Sequence, residues 1–235
     1  MLVPRDGCLP RGSRLVGYAR CVRVVAVPVK ALARTKSRLA PVLAPLERAA
    51  LTLAMLEDVL DATLAIPAWE TWVLSPDEAV LEIAARRRAR PLLEERPPLS
   101  AAVRQVEDEA DARGADVLAV VPADLPLLST AALADALHTL GPVVMAPAAD
   151  RAGTNLLVRR PPKAMPARFG PDSFRKHMEG ARARQLPVSV VEWPEITFDV
   201  DVPADFTRVL TEARPARTLE TCRELGVAAR LLART

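Results

Sequence analysis

The stretch Val117-Leu118-Ala119-Val120-Val121-Pro122-Ala123-Asp124-Leu125 decides the fold. Its opening apolar run, rich in β-branched valine, matches a strand covered on both faces, as in parallel sheets whose two sides are packed by helices. Asp124 then stands just past the strand's carboxyl end, where open α/β sheets hold their ligands. A carboxylate there also serves as an ordinary turn residue bonded to its own backbone, and the stretch alone leaves both readings open.

Outward from that strand, short apolar runs alternate with stretches of helical periodicity, the pattern of βαβ units around a mostly parallel sheet. Val22 to Val27 reads as the first strand. Pro45 opens a helix whose apolar stripe is predicted to run through Leu46, Ala49, Ala50, Leu53, Leu56 and Leu60. Trp72-Val73-Leu74 is the second strand, and Ser75-Pro76-Asp77-Glu78 spells a capping box for a helix expected to reach about Ala89. Pro91-Leu92-Leu93 is a short third strand, Ala101 to Arg113 a helix stopped by Gly114, and Asp116 to Val121 the fourth strand. Beyond Asp124, Ser129 caps a helix, and Val143-Val144-Met145 and Asn155 to Val158 are strands. A helix is expected from Pro171 and a strand from Val188 to Val191; after Phe198-Asp199-Val200-Asp201, two helices close the chain. No repeat or low-complexity linker interrupts this order, which argues for one α/β domain over residues 21–235.

Composition bounds the function. At 235 residues and 50% hydrophobic content, the chain can bury one sizeable core. Its 32 basic and 29 acidic residues give a net charge of only +3, a mixed surface that suits small anionic substrates. Aromatic residues make up 3%, too few for base-stacking platforms, and nothing matches a zinc finger or basic zipper, so no nucleic-acid partner is expected. Cys8, Cys21 and Cys222 are odd in number and widely spaced, which argues against a disulfide framework and a metal knuckle. No apolar run of about 18 residues is present to span a bilayer. The expectation is a soluble cytoplasmic protein with reduced thiols and no membrane partner. Residues 1–20 carry Arg5, Arg11, Arg14 and Arg20 without the apolar middle of a secretory signal. They are expected to be a disordered extension, or the product of a start codon placed too early. The oligomeric state is left open, a homo-oligomer included.

Four groups of residues could carry chemistry. The loop Pro28-Val29-Lys30-Ala31-Leu32-Ala33-Arg34-Thr35-Lys36-Ser37-Arg38-Leu39 follows the first strand and concentrates positive charge suited to a triphosphate, although basic runs are also common as solvated loops. Asp124 with Asp199 or Asp201, each at the end of a strand-like run, could hold Mg2+, a hard cation that prefers oxygen ligands. Asp201-Val202-Pro203-Ala204-Asp205 reads equally as a helix start. Gly153-Thr154-Asn155 precedes a strand. In Arg168-Phe169-Gly170-Pro171-Asp172-Ser173-Phe174 the Gly-Pro step reads as a helix start, whose amides would be free for phosphate or carboxylate with the Ser173 hydroxyl close by. Asp172 and Ser173 could instead be ordinary first-turn residues.

Taken in order, Val27-Pro28-Val29-Lys30, Lys36-Ser37-Arg38-Leu39, Pro122-Ala123-Asp124-Leu125-Pro126-Leu127, Gly153-Thr154-Asn155, Arg168 to Phe174 and Asp199-Val200-Asp201 resemble the 2-phospholactate guanylyltransferases of coenzyme F(420) biosynthesis, a family whose members also use phosphoenolpyruvate or 3-phosphoglycerate. The resemblance covers roughly residues 24–210. It implies a single-domain, Rossmann-like nucleotidyltransferase fold of the GT-A-like kind, a mostly parallel mixed sheet flanked by helices, working with Mg2+, GTP and a phosphorylated three-carbon acid. Carried over by position, it implies Lys30, Lys36 and Arg38 as catalytic groups on the GTP phosphates, with Ser37 and Ser100 also on the nucleotide. It implies Asp124, Asp199 and Asp201 on the metal, Asp199 favoured over Asp201, and Thr154, Gly170 and Ser173 around the acid. One departure stands out: relatives usually show Gly-Leu-Asn where this chain has Pro98-Leu99-Ser100, so Ser100 lacks an amide that donates and accepts together.

Three other readings stay open. Sugar-phosphate and molybdopterin nucleotidyltransferases share the sheet and the aspartates, but they generally carry a glycine-rich loop where this chain has Val-Pro-Val-Lys. Asp199-Val200-Asp201 superficially imitates the Asp-x-Asp motif of sugar-nucleotide-dependent glycosyltransferases. A binding module without turnover could use the same fold.

Overall fold

The structure is a computed structural model that describes residues 21–95, 97–212 and 216–233. Cys8 and the expectation for residues 1–20 lie outside the described residues. Seven strands form one sheet: β1 (Val22–Pro28), β2 (Glu70–Ser75), β3 (Arg90–Leu93), β4 (Ala115–Val120), β5 (Val143–Pro147), β6 (Thr154–Arg159) and β7 (Val188–Val190). Their order is β3-β2-β1-β4-β6-β5-β7. Every pairing is parallel except those of β6, which is antiparallel to both β4 and β5. The expected α/β fold with a mostly parallel mixed sheet is the observed one.

The helices are α1 (Pro45–Leu64), α2 (Glu78–Arg86), α3 (Leu99–Ala112), α4 (Thr130–His138), α5 (Ser173–Arg182), α6 (Pro194–Thr197), α7 (Asp205–Glu212), α8 (Arg217–Glu224) and α9 (Val227–Leu232). Alternation along the central strands feeds two cores. Val25 and Val27 of β1 and Ala119 of β4 join Leu56 and Leu60 of α1 and Leu133 of α4 on one face. Val24, Ala26, Leu118 and Val120 join Val103 and Val106 of α3 and Phe174 of α5 on the other. Each fully buried Val, Leu or Phe side chain contributes about 1.5–3 kcal/mol, so burial on both faces fixes the β1–β4 pair firmly in the sheet. A third cluster packs Leu39 and Leu43 against Leu51 and Met55 of α1, together with Phe206, Cys222 and Val227 from the last three helices.

Several local expectations need correction. The stripe of α1 fails in its first turns, where Leu46 and Ala50 are exposed. The helix instead buries Leu51 and Met55 against the closing helices and Leu56, Val59 and Leu60 against the sheet, so its apolar face broadens beyond a single line. Ser75 is not a cap but the last residue of β2. Its hydroxyl accepts the Asp77 amide at 3.1 Å, α2 begins at Glu78, and the Asp77 carboxylate accepts the amide of Leu32 at 2.6 Å. Among the described residues three short helices, not two, follow the single turn of α6. At six to eight residues each, they are too short for a helical period to declare itself.

One irregularity places functional groups. Ala146 of β5 pairs with Leu156, but the next residue, Pro147, pairs with Thr154, so the register skips Asn155. A bulge of this kind re-aims side chains. Asn155 and Leu156 both turn toward the face that carries α6, and Thr154 turns toward α5 on the other.

Candidate active site

β1 and β4 are neighbours whose chain connections run toward opposite edges of the sheet, β1 on to β2 and β4 on to β5, which marks the crevice where open α/β sheets take their ligands. After β1 the chain makes two 3-10 turns, Leu32–Arg34 and Ser37–Leu39. Lys36 joins them with a left-handed backbone, φ 48°, a conformation that costs a non-glycine residue about 1–2 kcal/mol. The sharp turn drives Lys36 inward, to 7% side-chain exposure, while Ser37 and Lys30 stay exposed and Arg38 is 73% exposed. Burial of Leu39 in the third cluster anchors it.

The inward lysine meets the acidic residues. Lys36 Nζ lies 2.6 Å from Asp124 Oδ2 and 3.0 Å from Asp201 Oδ1, and Arg38 Nη1 is 3.6 Å from Asp201 Oδ2. Val200 donates its amide to the Asp124 carbonyl at 3.2 Å and buries its own side chain, so the residues on either side of it present their carboxylates beside Asp124. One oxygen from each of Asp124, Asp199 and Asp201 falls within 4.8 Å of the others. Asp201 is therefore no helix cap: α7 starts at Asp205, whose carboxylate accepts the amides of Asp201 and Val202 at 2.7 Å each.

Three carboxylates around one lysine divide the electrostatics unequally. Burial, then the charge of Asp124, pushes Asp199 up to about 6, against a hydrogen bond from Asn155. Burial would also raise Asp201, but the charge of Lys36 and its hydrogen bond, with Arg38 and Lys30 behind them, hold it below the usual carboxylate range. Burial works against the Lys36 ammonium, yet Asp124 and Asp201 together raise it. The trio offers an all-oxygen donor set of the kind hard divalent cations prefer, and Lys36, Arg38 and Lys30 supply charge for an anion beside it.

The other predicted residues form a second group around Thr154, which turns toward α5, on the other face of the sheet from Asn155. Thr154 and Ser173 are buried, and the Ser173 hydroxyl donates to Thr154 Oγ1 at 3.0 Å. The helix expected from Pro171 begins at Ser173 instead, and its first amides are not free: Ser173 N–H donates to the Gly170 carbonyl and Phe174 N–H to that of Ala152. Gly170 is exposed with φ 123°, a backbone that side chains rarely adopt. Ser100 sits half-buried in the first turn of α3 and hydrogen-bonds to none of these groups among the described residues.

Two residues with a place in this geometry were given no role from the sequence, Asn155 of the Gly153-Thr154-Asn155 motif and His177. Asn155 Nδ2 donates to Asp199 Oδ1 at 3.1 Å and to the carbonyls of Ile196 and Thr197 at 3.0 and 3.1 Å, fixing the loop that carries two of the carboxylates. His177 lies 3.0 Å from Thr154 Oγ1 through Nδ1 and accepts the Arg168 amide at Nε2, 2.7 Å away. Its signal was available: it follows Ser173 by one helical turn, and the chain has only two histidines. A separate cavity of about 790 Å3 opens among α1, the segment 126–131 and the closing helices. None of the predicted site residues lines it, and Asp58 in its wall is already engaged with the amides of Arg217 and Thr218 at the start of α8.

Comparison with known proteins gives the arrangement its context. The family described as guanylyl transferase CofC like matches residues 23–232. A phosphoenolpyruvate guanylyltransferase from Rubrobacter xylanophilus is 43% identical over 78% of this chain and 91% of its own length. A 2-phospho-L-lactate guanylyltransferase from Methanothermobacter thermautotrophicus is 37% identical over 85% and 89%. A 3-phospho-D-glycerate guanylyltransferase from Phenylobacterium zucineum is 37% identical over 81% and 90%. Among solved structures, a nucleotidyl transferase from Methanothermobacter superposes with a TM-score of 0.59 at 19% identity, over 80% of this chain and 95% of that one, and shares its fold.

Proposed function

We propose that this chain, which belongs to the guanylyl transferase CofC-like family, transfers GMP from GTP to the phosphate of a small phosphorylated acid of the 2-phospholactate, phosphoenolpyruvate or 3-phosphoglycerate type, and releases pyrophosphate. The observation that carries this reading is the meeting of Asp124, Asp199 and Asp201 with Lys36 at the crevice between β1 and β4. The same reading takes coenzyme F(420) biosynthesis as the setting and the cytoplasm as the compartment.

In the mechanism, an oxygen of the acid's phosphate attacks the α-phosphorus of GTP in line. A P–O bond forms, the bond to the β-phosphate breaks, and pyrophosphate departs with the electron pair. The attacking oxygen is already ionised near neutral pH, so no general base is required. Lys30, Lys36 and Arg38 neutralise the triphosphate as charge shifts toward the leaving group, and Ser37 and Ser100 contribute polar contacts to the nucleotide. Thr154, Gly170 and Ser173 receive and orient the acid. The trio of carboxylates fits Mg2+ by donor type, with Asp124, Asp199 and Asp201 as its holders. Bound there, Mg2+ would supply charge neutralisation at the phosphates.

The test is pyrophosphate release by purified protein with Mg2+, GTP and each of the three acids in turn, with mass detection of the guanylylated product. Release with at least one acid is expected; silence with all three overturns the proposal.

A further inference from the structure

The hydrogen bonds behind the acid site fix the direction of every proton in it. His177 Nε2 accepts the Arg168 amide at 2.7 Å, so that nitrogen carries no hydrogen. Burial, with the charges of Arg159 and Arg168 nearby, pushes the imidazole down to about 3, so the ring is neutral at working pH and its one proton sits on Nδ1. Nδ1–H therefore donates to Thr154 Oγ1 at 3.0 Å. The Ser173 hydroxyl donates to the same oxygen, also at 3.0 Å. Both lone pairs of Thr154 are then engaged, and among the described residues no acceptor takes its proton. The Phe169 ring holds the imidazole edge-on, with centroids 5.0 Å apart.

We propose that His177 is a positioning residue that leaves the Thr154 hydroxyl able only to donate, presetting it for the acceptor-only carboxylate or phosphate oxygens of the acid. The same ring joins the strand that carries Thr154 to the Arg168-Phe169-Gly170 segment, so one side chain sets both walls of the acid site. The inference rests on the reading of Thr154, Gly170 and Ser173 as acid-binding groups.

Steady-state kinetics on three variants tests it. His177→Phe keeps an apolar ring but removes donor and acceptor; the KM for the acid should rise about tenfold, the loss of one well-placed hydrogen bond, while the KM for GTP stays within about twofold. His177→Asn can still donate to Thr154 and should recover most of that loss. His177→Gln can still accept the Arg168 amide but not serve Thr154, and should not. An unchanged acid KM in His177→Phe, or equal rises for both substrates, overturns the proposal. Should His177→Phe not fold, the order of the other two decides: an acid KM for His177→Asn equal to or above that of His177→Gln also overturns it. Wild-type protein that turns over none of the acids defeats the underlying reading instead, whereas active wild type with an indifferent His177 defeats this inference alone.

Discussion

Val200 donates its backbone amide to the carbonyl oxygen of Asp124 at 3.2 Å, joining the segment after β4 to the one before α7. Through that bond the three carboxylates are placed by main chain rather than by long side chains, so changing one side-chain group should disturb chemistry more than folding.

Asp124→Asn is accordingly expected to lower turnover by about 10²-fold or more, on the scale of removing one group that stabilises developing charge. Lys36 keeps Asp201 as a partner in this variant, so thermal unfolding should move little. Activity near the wild-type level would remove Asp124 from the site.

Asp199 predicts a pH dependence of stability in metal-free protein. Its folded pKa of about 6 lies above the ordinary carboxylate value of 3.8, so the folded state binds its proton more tightly than the unfolded state does. The stability this gives is fully present below about pH 4 and is lost as pH rises through about 6. Asp199→Asn should flatten that window in urea titrations between pH 4 and 7 and raise stability relative to wild type at neutral pH. An unchanged slope would count against the burial of Asp199 as the cause.

Glu107 of α3 pairs with Nη1 of the fully buried Arg159 of β6, whose Nε and Nη2 have no hydrogen-bond partner among the described residues. Glu107→Ala would leave that guanidinium uncompensated, an expected loss of about 3–5 kcal/mol in urea denaturation, whereas replacing both residues by well-packed apolar ones should recover much of it. A single variant within about 1 kcal/mol of wild type would contradict this account.

Cys222 lies fully buried in the third cluster, and burial pushes its thiol up to about 12. Alkylation at pH 8 should therefore not modify Cys222 in native protein and should do so in denaturant, read by peptide mass. Rapid native labelling of Cys222 would show that α8 opens readily.

The sheet was legible because β1, β2 and β4 are apolar enough on both faces to leave little alternative, and Asp124 was legible because its position follows from where β4 ends. Asp199 and Asp201 could be suggested as its partners from strand-like runs and from the family resemblance, but their place beside it could not be read, since the Val200–Asp124 bond is a contact between distant segments. Ser75 misled because a capping-box pattern says nothing about whether its serine is still held in a strand, and here β2 keeps it. Asn155 stayed hidden for a related reason: strict alternation would have sent it to the face opposite Leu156, and only the skipped register turns it toward Asp199.

The buried ammonium of Lys36 has a consequence for how the site comes into being. An acidic cluster normally resists its own assembly, and many such clusters wait for a cation before the surrounding chain can settle. Here the polypeptide carries its own counter-charge on the loop after β1, so the pocket can be completed during folding, and protein treated with chelator should still fold and unfold cooperatively.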